Sequence, residues 1–371
     1  MRNEKFKKMA KGKIDSNSGV QANVGFDFQR NTCIYVFLDK YNSLKNQDYF
    51  ILLEHYDDIV FGFLNSSGEL SDITTYQAKK SSTVWTTNSV YEIIQKIANS
   101  GIEIKKDLFP KASNYIQSQH FITNNTISLD YKCSVDNKIK RKYINETNET
   151  VAYIDLDAGF QNNLKKGNSE ITFDNNQIAH FDNLNFSFID LGRNTKSQLE
   201  LLTGKFKTVF GNSILDHTAA RDTLIFHLKE IESTYNQGDI PKLSDTHKRI
   251  ESSQIENILN VLITKSLALE FCRKKAEKIC EELSINVFEA TSFELDFENS
   301  LDEFKDLRQG EHQKIIRFIE NKKNIFSNFT NDVACIKELH KLFLMEYNTT
   351  LTPLQLKASM SAGYFLILMQ K

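Results

Sequence analysis

The sequence has little proline, glycine or cysteine, and none of its apolar runs is long. Only 3 prolines and 14 glycines occur in 371 residues. These residues end helices and form tight turns, so their scarcity favours long elements. The longest apolar run, residues 364–369, is far shorter than the about 20 residues of a membrane-spanning helix. We therefore expect a protein without a membrane segment.

The five cysteines are scattered along the chain and never occur in a C-x-x-C pair. This spacing excludes a zinc ribbon and is typical of a protein kept in a reducing compartment. The basic start, residues 1–13, has no apolar segment behind it to form a secretory signal. These observations predict a cytoplasmic protein.

Overall charge does not indicate a nucleic-acid partner, because 46 basic residues stand against 48 acidic ones, a net charge of −2. The first 120 residues have a net charge of only +2. Three local basic clusters occur, at residues 1–13, 138–142 and 273–275. Each has two interpretations: a solvated surface, or a contact with a DNA backbone.

Apolar periodicity divides the chain into two parts. The first part predicts a helix over 29–44, strands over 49–53, 58–63 and 73–79, a helix announced by a capping box at Ser89 and Glu92, and a strand over 120–124. From about residue 190 the pattern is helical, with helices predicted over 197–210, 219–235, 253–283 and 333–347. Two further capping signals lie at 253–256 and at 352–355, where proline occupies the first helical position.

This pattern predicts a flexible basic N-terminus (1–18), an α/β domain (19–190) and a mostly α-helical C-terminal region (191–371). The α/β domain is expected to be a central mixed sheet flanked by helices. Residues 126–190, rich in Asn and Asp with short β-like runs, connect the two parts.

The most informative residues lie on two neighbouring predicted strands. Asp58 directly precedes the apolar run 59–61, so it lies at the mouth of a strand. Gln77 and Lys79 alternate with Tyr76 and Ala78, and they therefore share one face of the next strand. Carboxylate and amide oxygens are the ligands that Mg²⁺ prefers. A bound Mg²⁺ lowers the pKa of a water and neutralises phosphate charge, and a lysine stabilises the developing negative charge. The three residues together suit metal-assisted phosphodiester hydrolysis.

Two further acids lie beside Asp58. Asp57 and Asp58 together are costly to bury unless they are paired or bind a metal, although an Asp-Asp pair is also a common polar turn. Glu54, slightly upstream, offers another oxygen ligand. It would restore the charge that is lost by having Gln77 where an acid is more usual. Either Asp57 or Asp58 is then the principal ligand.

Here the residues resemble a known family. The run 25–29 (Gly-Phe-Asp-Phe-Gln), the segment 54–59 and the segment 76–79 (Tyr-Gln-Ala-Lys) together resemble the nuclease domain of the CBASS effector endonucleases. That domain is the Gln-x-Lys variant of the PD-(D/E)XK superfamily and is related to Mrr-type restriction nucleases. It also occurs in Lamassu-type and HerA-associated antiphage systems. The resemblance covers residues 19–125, and each motif is short.

The resemblance implies a restriction-endonuclease-like fold and Mg²⁺-dependent cleavage of double-stranded DNA, with Mn²⁺ as a substitute. It makes Asp58 and Gln77 metal ligands, Lys79 the catalytic lysine, and Glu54 and Gln29 supporting residues. Glu54 and Asp57 remain further candidate ligands on the chemistry of their side chains. No motif of the nucleotide-sensing SAVED domain follows, which favours control by a partner such as an SMC-like or HerA-like ATPase. A single protomer with so little positive charge would bind DNA weakly, so the active form is expected to be a homo-oligomer or to dock on a DNA-bound partner.

Two other functions are consistent with the residues. One is a non-catalytic helical scaffold subunit, favoured by the large helical part and the weak basic charge. The other is a ligand-sensing module built on residues 120–190. His55 is expected to be a solvent-facing turn residue rather than a ligand, and His217, His227 and Cys33 are expected to be structural. The chain has no Walker A, zincin or G-x-S-x-G motif.

Overall fold

The computed structural model describes residues 18–234 and 242–369, with side chains from residue 23 onward. The predicted basic N-terminus, residues 1–18, lies outside the described residues except for residue 18. The chain divides into two compact units. Unit 1 falls within Met1–Val209 and Arg221–Glu256, and unit 2 within Phe210–Ala220 and Asn257–Lys371.

The elements are numbered in chain order. The helices are α1 (Ser18–Leu44), α2 (Thr87–Lys106), α3 (Ala158–Lys166), α4 (Asn175–Ile178), α5 (Thr195–Phe210), α6 (His217–Glu232), α7 (Ser252–Glu282), α8 (Ala290–Glu303), α9 (Gly310–Asn321), α10 (Asp332–Glu346) and α11 (Pro353–Met369). The strands are β1 (Asp48–Leu53), β2 (Ile59–Leu64), β3 (Leu70–Lys79), β4 (Trp85–Thr86), β5 (Lys111–Thr123), β6 (Ile127–Lys132), β7 (Ile139–Ile144), β8 (Thr150–Ala152), β9 (Leu184–Phe188) and β10 (Arg249–Glu251).

Unit 1 contains a seven-stranded mixed sheet in the order β10-β1-β2-β3-β5-β9-β8. Strands β1, β2 and β3 form an antiparallel meander, whereas β3, β5 and β9 run parallel. The apolar runs in β1 and β2 are almost fully buried, as expected for strands that are covered on both faces. The prediction of a mixed sheet flanked by helices is thus confirmed, and residues 126–190 contribute β6 to β9 together with α3 and α4.

Helices α1 and α2 cover opposite faces of the sheet. Tyr76 of β3 accepts a hydrogen bond from Lys40 of α1 (3.0 Å). On the other face, the Gln119 amide of β5 donates to the Ile97 carbonyl of α2 (2.6 Å). Gln119 is paired with Thr75 in the β3–β5 register, and neighbouring residues on a strand point to opposite faces. The face that carries Gln77 and Lys79 therefore faces α2.

Two predicted helix starts differ from those observed. Helix α2 begins at Thr87, and its capping box is formed by Thr86 and Ser89 instead of Ser89 and Glu92. Because the Thr86 and Ser89 side chains satisfy each other's backbone N–H groups, the helix starts earlier than predicted. Helix α1 starts at Ser18, well before residue 29. Residues 23–27 of this helix are not buried, so the apolar periodicity that predicts the helix begins only after them.

Unit 2 is helical, and its core lies between α8, α9, α10, α11 and the later part of α7. The apolar run 364–369 belongs to α11, whose middle part is buried. The predicted start of this helix is confirmed, because the Thr352 hydroxyl caps the Gln355 N–H and the Gln355 side chain accepts from the Thr352 N–H. None of the helices in the described ranges is long and apolar enough to cross a membrane.

The observed units differ from the predicted boundary at residue 190. Residues 191–209 and 221–256 belong to unit 1. The reason is that β10 pairs with β1, and Leu224 and Leu228 of α6 are buried around the same apolar pocket as Cys33 of α1. Helical periodicity alone carries no information about which unit a helix packs on.

A substitution at Gly62 of β2 tests how tightly the sheet is packed at this position. A Cβ at this position would lie 2.3 Å from Cζ of Phe50, whose ring is fully buried and packs on Phe109. We expect Gly62→Ala to lower the free energy of unfolding by about 1–3 kcal/mol, because the ring has no space to move into. Urea unfolding measures this. The control is Gly204→Ala in α5, where a Cβ meets nothing within 4 Å, so a gain of up to about 1 kcal/mol is expected. Equal stability of Gly62→Ala and the parent protein would contradict the packing.

Candidate functional site

Strand pairing brings Asp58 and Lys79 into contact. Ile59 is paired with Tyr76 in the antiparallel β2–β3 register, so the residue before β2 lies opposite the end of β3. The Asp58 Oδ2 atom accepts a hydrogen bond from the Lys79 ammonium (3.0 Å) and another from the Ala78 N–H (2.8 Å). Two positions that are distant in the sequence therefore form one charged pair at the mouth of the sheet.

Gln77 also lies at the mouth of the sheet, between Tyr76 and Ala78 of β3. It is almost completely buried and lines a cleft of about 330 Å³ together with Glu54, Asp57 and Asp58. The facing wall of the cleft comes from α2, through Lys96, Asn99 and Ser100. The structure thus gathers the two strands, the loop between β1 and β2, and one face of α2 around a single opening.

The loop over residues 54–58 is held in a fixed shape. Glu54 has a positive φ of 49°, which is uncommon for a residue other than glycine. Its N–H donates to the Asp58 carbonyl (3.2 Å), and the Ser100 hydroxyl of α2 donates to the Tyr56 carbonyl (2.7 Å). Strained backbone of this kind persists where the surroundings enforce it, and it is frequent at functional sites.

The Glu54 carboxyl group is a weaker acid than an ordinary glutamate, because its pKa is raised. Burial and, next, the negative charge of Asp58 raise the pKa of Glu54 to about 7, whereas Lys79 and the Gln29 amide act to lower it. Its Oε1 atom is buried without a hydrogen-bond partner. Glu54 therefore holds a proton for much of the time at neutral pH, and Gln29 of α1 lies next to it.

Asp57 is even more strongly affected. Its side chain is buried, and burial followed by the charge of Asp58 raises the pKa of Asp57 to about 8. The Oδ1 atom accepts from the Asp58 N–H (2.9 Å), whereas Oδ2 has no partner. Asp57 is thus mainly protonated at neutral pH. Asp58, in contrast, forms an ion pair with the Lys79 ammonium.

The donor set fits a hard divalent cation in its chemistry. Asp58, Gln77, Glu54 and Asp57 offer carboxylate and amide oxygens, which Mg²⁺ prefers, and two of these side chains carry buried oxygens without partners. A cation would stabilise the ionised forms of Glu54 and Asp57. Within residues 23–234 and 242–369, no three His, Cys, Asp or Glu side chains are placed to hold a metal ion. A complete ligand set would therefore have to include an amide oxygen, such as that of Gln77, and water.

The sequence analysis did not identify two charged residues near Glu54, namely Glu232 and Lys248. Glu232 of α6 lies near enough to Glu54 to raise its pKa and forms an ion pair with Arg30 of α1, which also pairs with Asp27. Lys248 is buried and donates to the carbonyls of Ile231 and Thr234 at the end of α6. Arg30 and Glu232 are 202 residues apart in the chain, so no local pattern could have indicated the pair.

His55 differs from the expectation of a solvent-facing residue. It is buried, and its Nε2 atom contacts the backbone of Lys242 (2.9 Å to the amide nitrogen). The sequence around His55 is polar, but the segment beginning at residue 242 covers it. Cys33 is buried in the core, where burial raises the pKa of its thiol. His217 contacts the Gly211 carbonyl (2.9 Å).

The chain matches no family model, no curated protein and no solved structure at a significant level.

Proposed function

We propose that this protein is a metal-dependent endonuclease of double-stranded DNA, acting as the effector subunit of a bacterial antiphage system. One observation carries the proposal: the Asp58 carboxylate and the Lys79 ammonium meet at 3.0 Å, beside a cleft lined by Gln77 and two carboxyl groups of raised pKa. An acid, an amide and a lysine around one opening are the groups that phosphodiester hydrolysis requires, and their sequence motifs resemble those of PD-(D/E)XK nucleases.

Each residue has a role that follows from its surroundings. Asp58 and Gln77 would hold Mg²⁺, with Glu54 and Asp57 as further oxygen donors. The cation, when bound, supplies charge neutralisation at the phosphate and activation of water. Lys79 would orient the attacking water and stabilise the negative charge that develops on the phosphate. Glu54, with a pKa of about 7, can hold or release a proton at cellular pH.

The proposal includes control by assembly. Unit 1 provides the cleft, and the helical unit 2 would attach the nuclease to an SMC-like or HerA-like ATPase or to further copies of itself. Because the overall charge is −2, one protomer has little electrostatic attraction for DNA. Oligomerisation multiplies the phosphate contacts and would confine cleavage to the activated state.

A non-catalytic scaffold subunit is the second candidate, and one observation favours it. The Asp58 Oδ2 atom accepts hydrogen bonds from both Lys79 and the Ala78 N–H, contacts that also suit a purely structural role. In that case the cluster at the mouth of the sheet only fixes the β2–β3 hairpin, and the helical unit 2 carries the function.

Plasmid cleavage separates the two candidates. The full-length protein, alone and with the products of its neighbouring genes, is incubated with supercoiled plasmid in Mg²⁺, in Mn²⁺ and in EDTA. We expect nicked and linear DNA with either cation and intact DNA in EDTA. The Asp58→Ala protein, purified in the same way, should leave the plasmid intact. Equal cleavage by both proteins would reveal a contaminant or a wrong site, and no cleavage under any condition would favour the scaffold.

A further inference from the structure

The structure distinguishes two basic clusters that look alike in the sequence. Residues 273–275 lie on α7, and each is neutralised: Arg273 pairs with Glu294 (2.8 Å), Lys274 with Glu270 (2.6 Å) and Lys275 with Asp332 (3.4 Å). This cluster is therefore a solvated surface with its charges matched locally. It has little positive charge left for a polyanion.

In the described part of the chain, most basic residues of the other cluster, residues 138–142, have no ion-pair partner. The β6–β7 ribbon, residues 127–144, contains five basic residues and two acidic ones, a net charge of +3. Lys140 pairs with Asp136 (3.3 Å). Within the part of the chain that the structure describes, the other four form no ion pair; they are Lys132, Lys138, Arg141 and Lys142. Five of the six residues of β7 are exposed, so these charges face water.

The ribbon starts at the edge of the sheet that carries the cleft. Strands β3 and β5 are parallel, with Lys79 paired to Thr123, so both end at the same edge. The two chain segments are joined just beyond this edge, where the Ser81 N–H donates to the Asn124 side chain (3.2 Å). Strand β6 begins at Ile127, directly after this junction. The basic ribbon and Lys79 therefore emerge from the same edge of the same unit.

One face of the ribbon is anchored and the other is largely exposed. Ile127, Leu129 and Ile144 are fully buried, and Tyr131 packs edge-on against Phe160 of α3. The opposite face carries four exposed side chains: Lys132, Ile139, Arg141 and Tyr143. It also carries the half-buried Asp130, which lies opposite Arg141 and accepts a hydrogen bond from the Thr87 hydroxyl of α2 (2.6 Å). A fixed two-stranded arm thus presents basic side chains interleaved with one aromatic and one aliphatic residue.

We propose that the β6–β7 ribbon binds the phosphate backbone of duplex DNA that occupies the cleft. The inference rests on the proposed function and names the surface that would position its substrate. Unpaired lysine and arginine side chains are the groups that contact phosphates, and such contacts orient a protein on a duplex without reading its sequence. The ribbon strands extend about 20 Å from the edge, which is enough to contact several phosphates. These contacts would also provide the attraction for DNA that a chain with a net charge of −2 otherwise lacks.

Charge on β7 has another possible use. This strand is at the edge of the three-stranded sheet β4-β6-β7, and lysines on an edge strand hinder pairing with a second chain. That role predicts aggregation when the charges are removed, with no change in DNA binding. Binding and self-association therefore need to be measured on the same variants.

The test compares two variants that lose the same charge. Lys132→Gln/Arg141→Gln removes two unpaired charges from the ribbon, and Arg273→Gln/Lys274→Gln removes two paired charges from α7. Each full-length protein is titrated with a 30-base-pair duplex in EDTA, where nothing is cleaved, at several salt concentrations. We expect the ribbon variant to bind on the order of tenfold more weakly at low salt, with a slope of log K against log salt smaller by about 2. The α7 variant should bind like the parent protein.

Three results would overturn the proposal: no duplex binding by the parent protein at low salt, the same loss of binding in both variants, or an unchanged salt slope with increased aggregation of the ribbon variant. Since binding is measured in EDTA, it is independent of cleavage. A selective loss of binding in the ribbon variant supports the ribbon even if the parent protein never cleaves DNA. Conversely, cleavage that depends on Asp58 with unchanged binding by the ribbon variant would retain the nuclease and reject the ribbon.

Discussion

Lys79→Met should reduce Mg²⁺-dependent DNA cleavage by on the order of 10²–10³-fold, since one charged group that stabilises the transition state contributes about that much. The Lys79 ammonium lies 3.0 Å from Asp58 Oδ2 at the edge of the cleft, where a phosphate would sit. Methionine keeps most of the apolar length of the side chain and removes the charged hydrogen-bond donor. Single-turnover cleavage of a labelled duplex measures the effect.

The matched control is Lys106→Met, which removes an exposed lysine of the same unit that pairs with the exposed Glu103. It should cleave at the parental rate. Duplex binding in EDTA should change little in Lys79→Met, because one phosphate contact contributes only part of the affinity. Undiminished cleavage by Lys79→Met would remove the lysine from the mechanism. A proportional loss of binding and cleavage would instead make it a DNA-binding residue.

Asp57→Asn should stabilise the protein increasingly as the pH rises, by an amount on the order of a few kcal/mol near pH 8. Burial raises the pKa of Asp57 from 3.8 to about 8 in the folded protein. Below about pH 4 the carboxyl is protonated in both states, and its contribution to stability is fully present. As the pH rises to 8, the unfolded chain loses this proton more readily than the folded protein, so the parent protein loses stability. Asparagine has no proton to lose and avoids this loss.

Urea unfolding of both proteins at pH 5, 6, 7 and 8, in EDTA, gives the difference in the free energy of unfolding. The difference should grow with pH. The exposed Asp190 of the same unit provides the control, and Asp190→Asn should give a much flatter profile. A flat difference for Asp57→Asn would mean that the buried carboxyl is ionised in the folded protein. The raised pKa would then be wrong.

Much of the framework around the site was predictable from the sequence, because it depends on local patterns. The apolar runs at 49–53 and 58–63 form β1 and β2, and a turn-rich segment joins β2 to β3, as strand and turn propensities indicate. The antiparallel pairing of β2 and β3 then places Asp58 opposite the end of β3. The convergence of Asp58 with Lys79 follows from alternation along the strand and from this pairing.

Other features depended on contacts between distant segments. Helix α6 belongs to unit 1 from Arg221 onward, so the predicted boundary at residue 190 differs from the compact units. The segment at Lys242 covers His55. The packing of α6 places Glu232 near Glu54. Residues 138–142 and 273–275 have the same kind of sequence, and only the position of nearby carboxylates separates them.

The sequence by itself determined which side chains of β2 and β3 meet at the mouth of the sheet, because strand alternation and pairing of adjacent strands are local properties of the chain. Tertiary structure decided what state those side chains are in. Burial, which depends on the packing of α1, α2 and α6 around the sheet, keeps protons on Glu54 and Asp57 and leaves Asp58 to pair with Lys79. Since desolvation depends on every neighbour in space, no reading of a single segment could have supplied it.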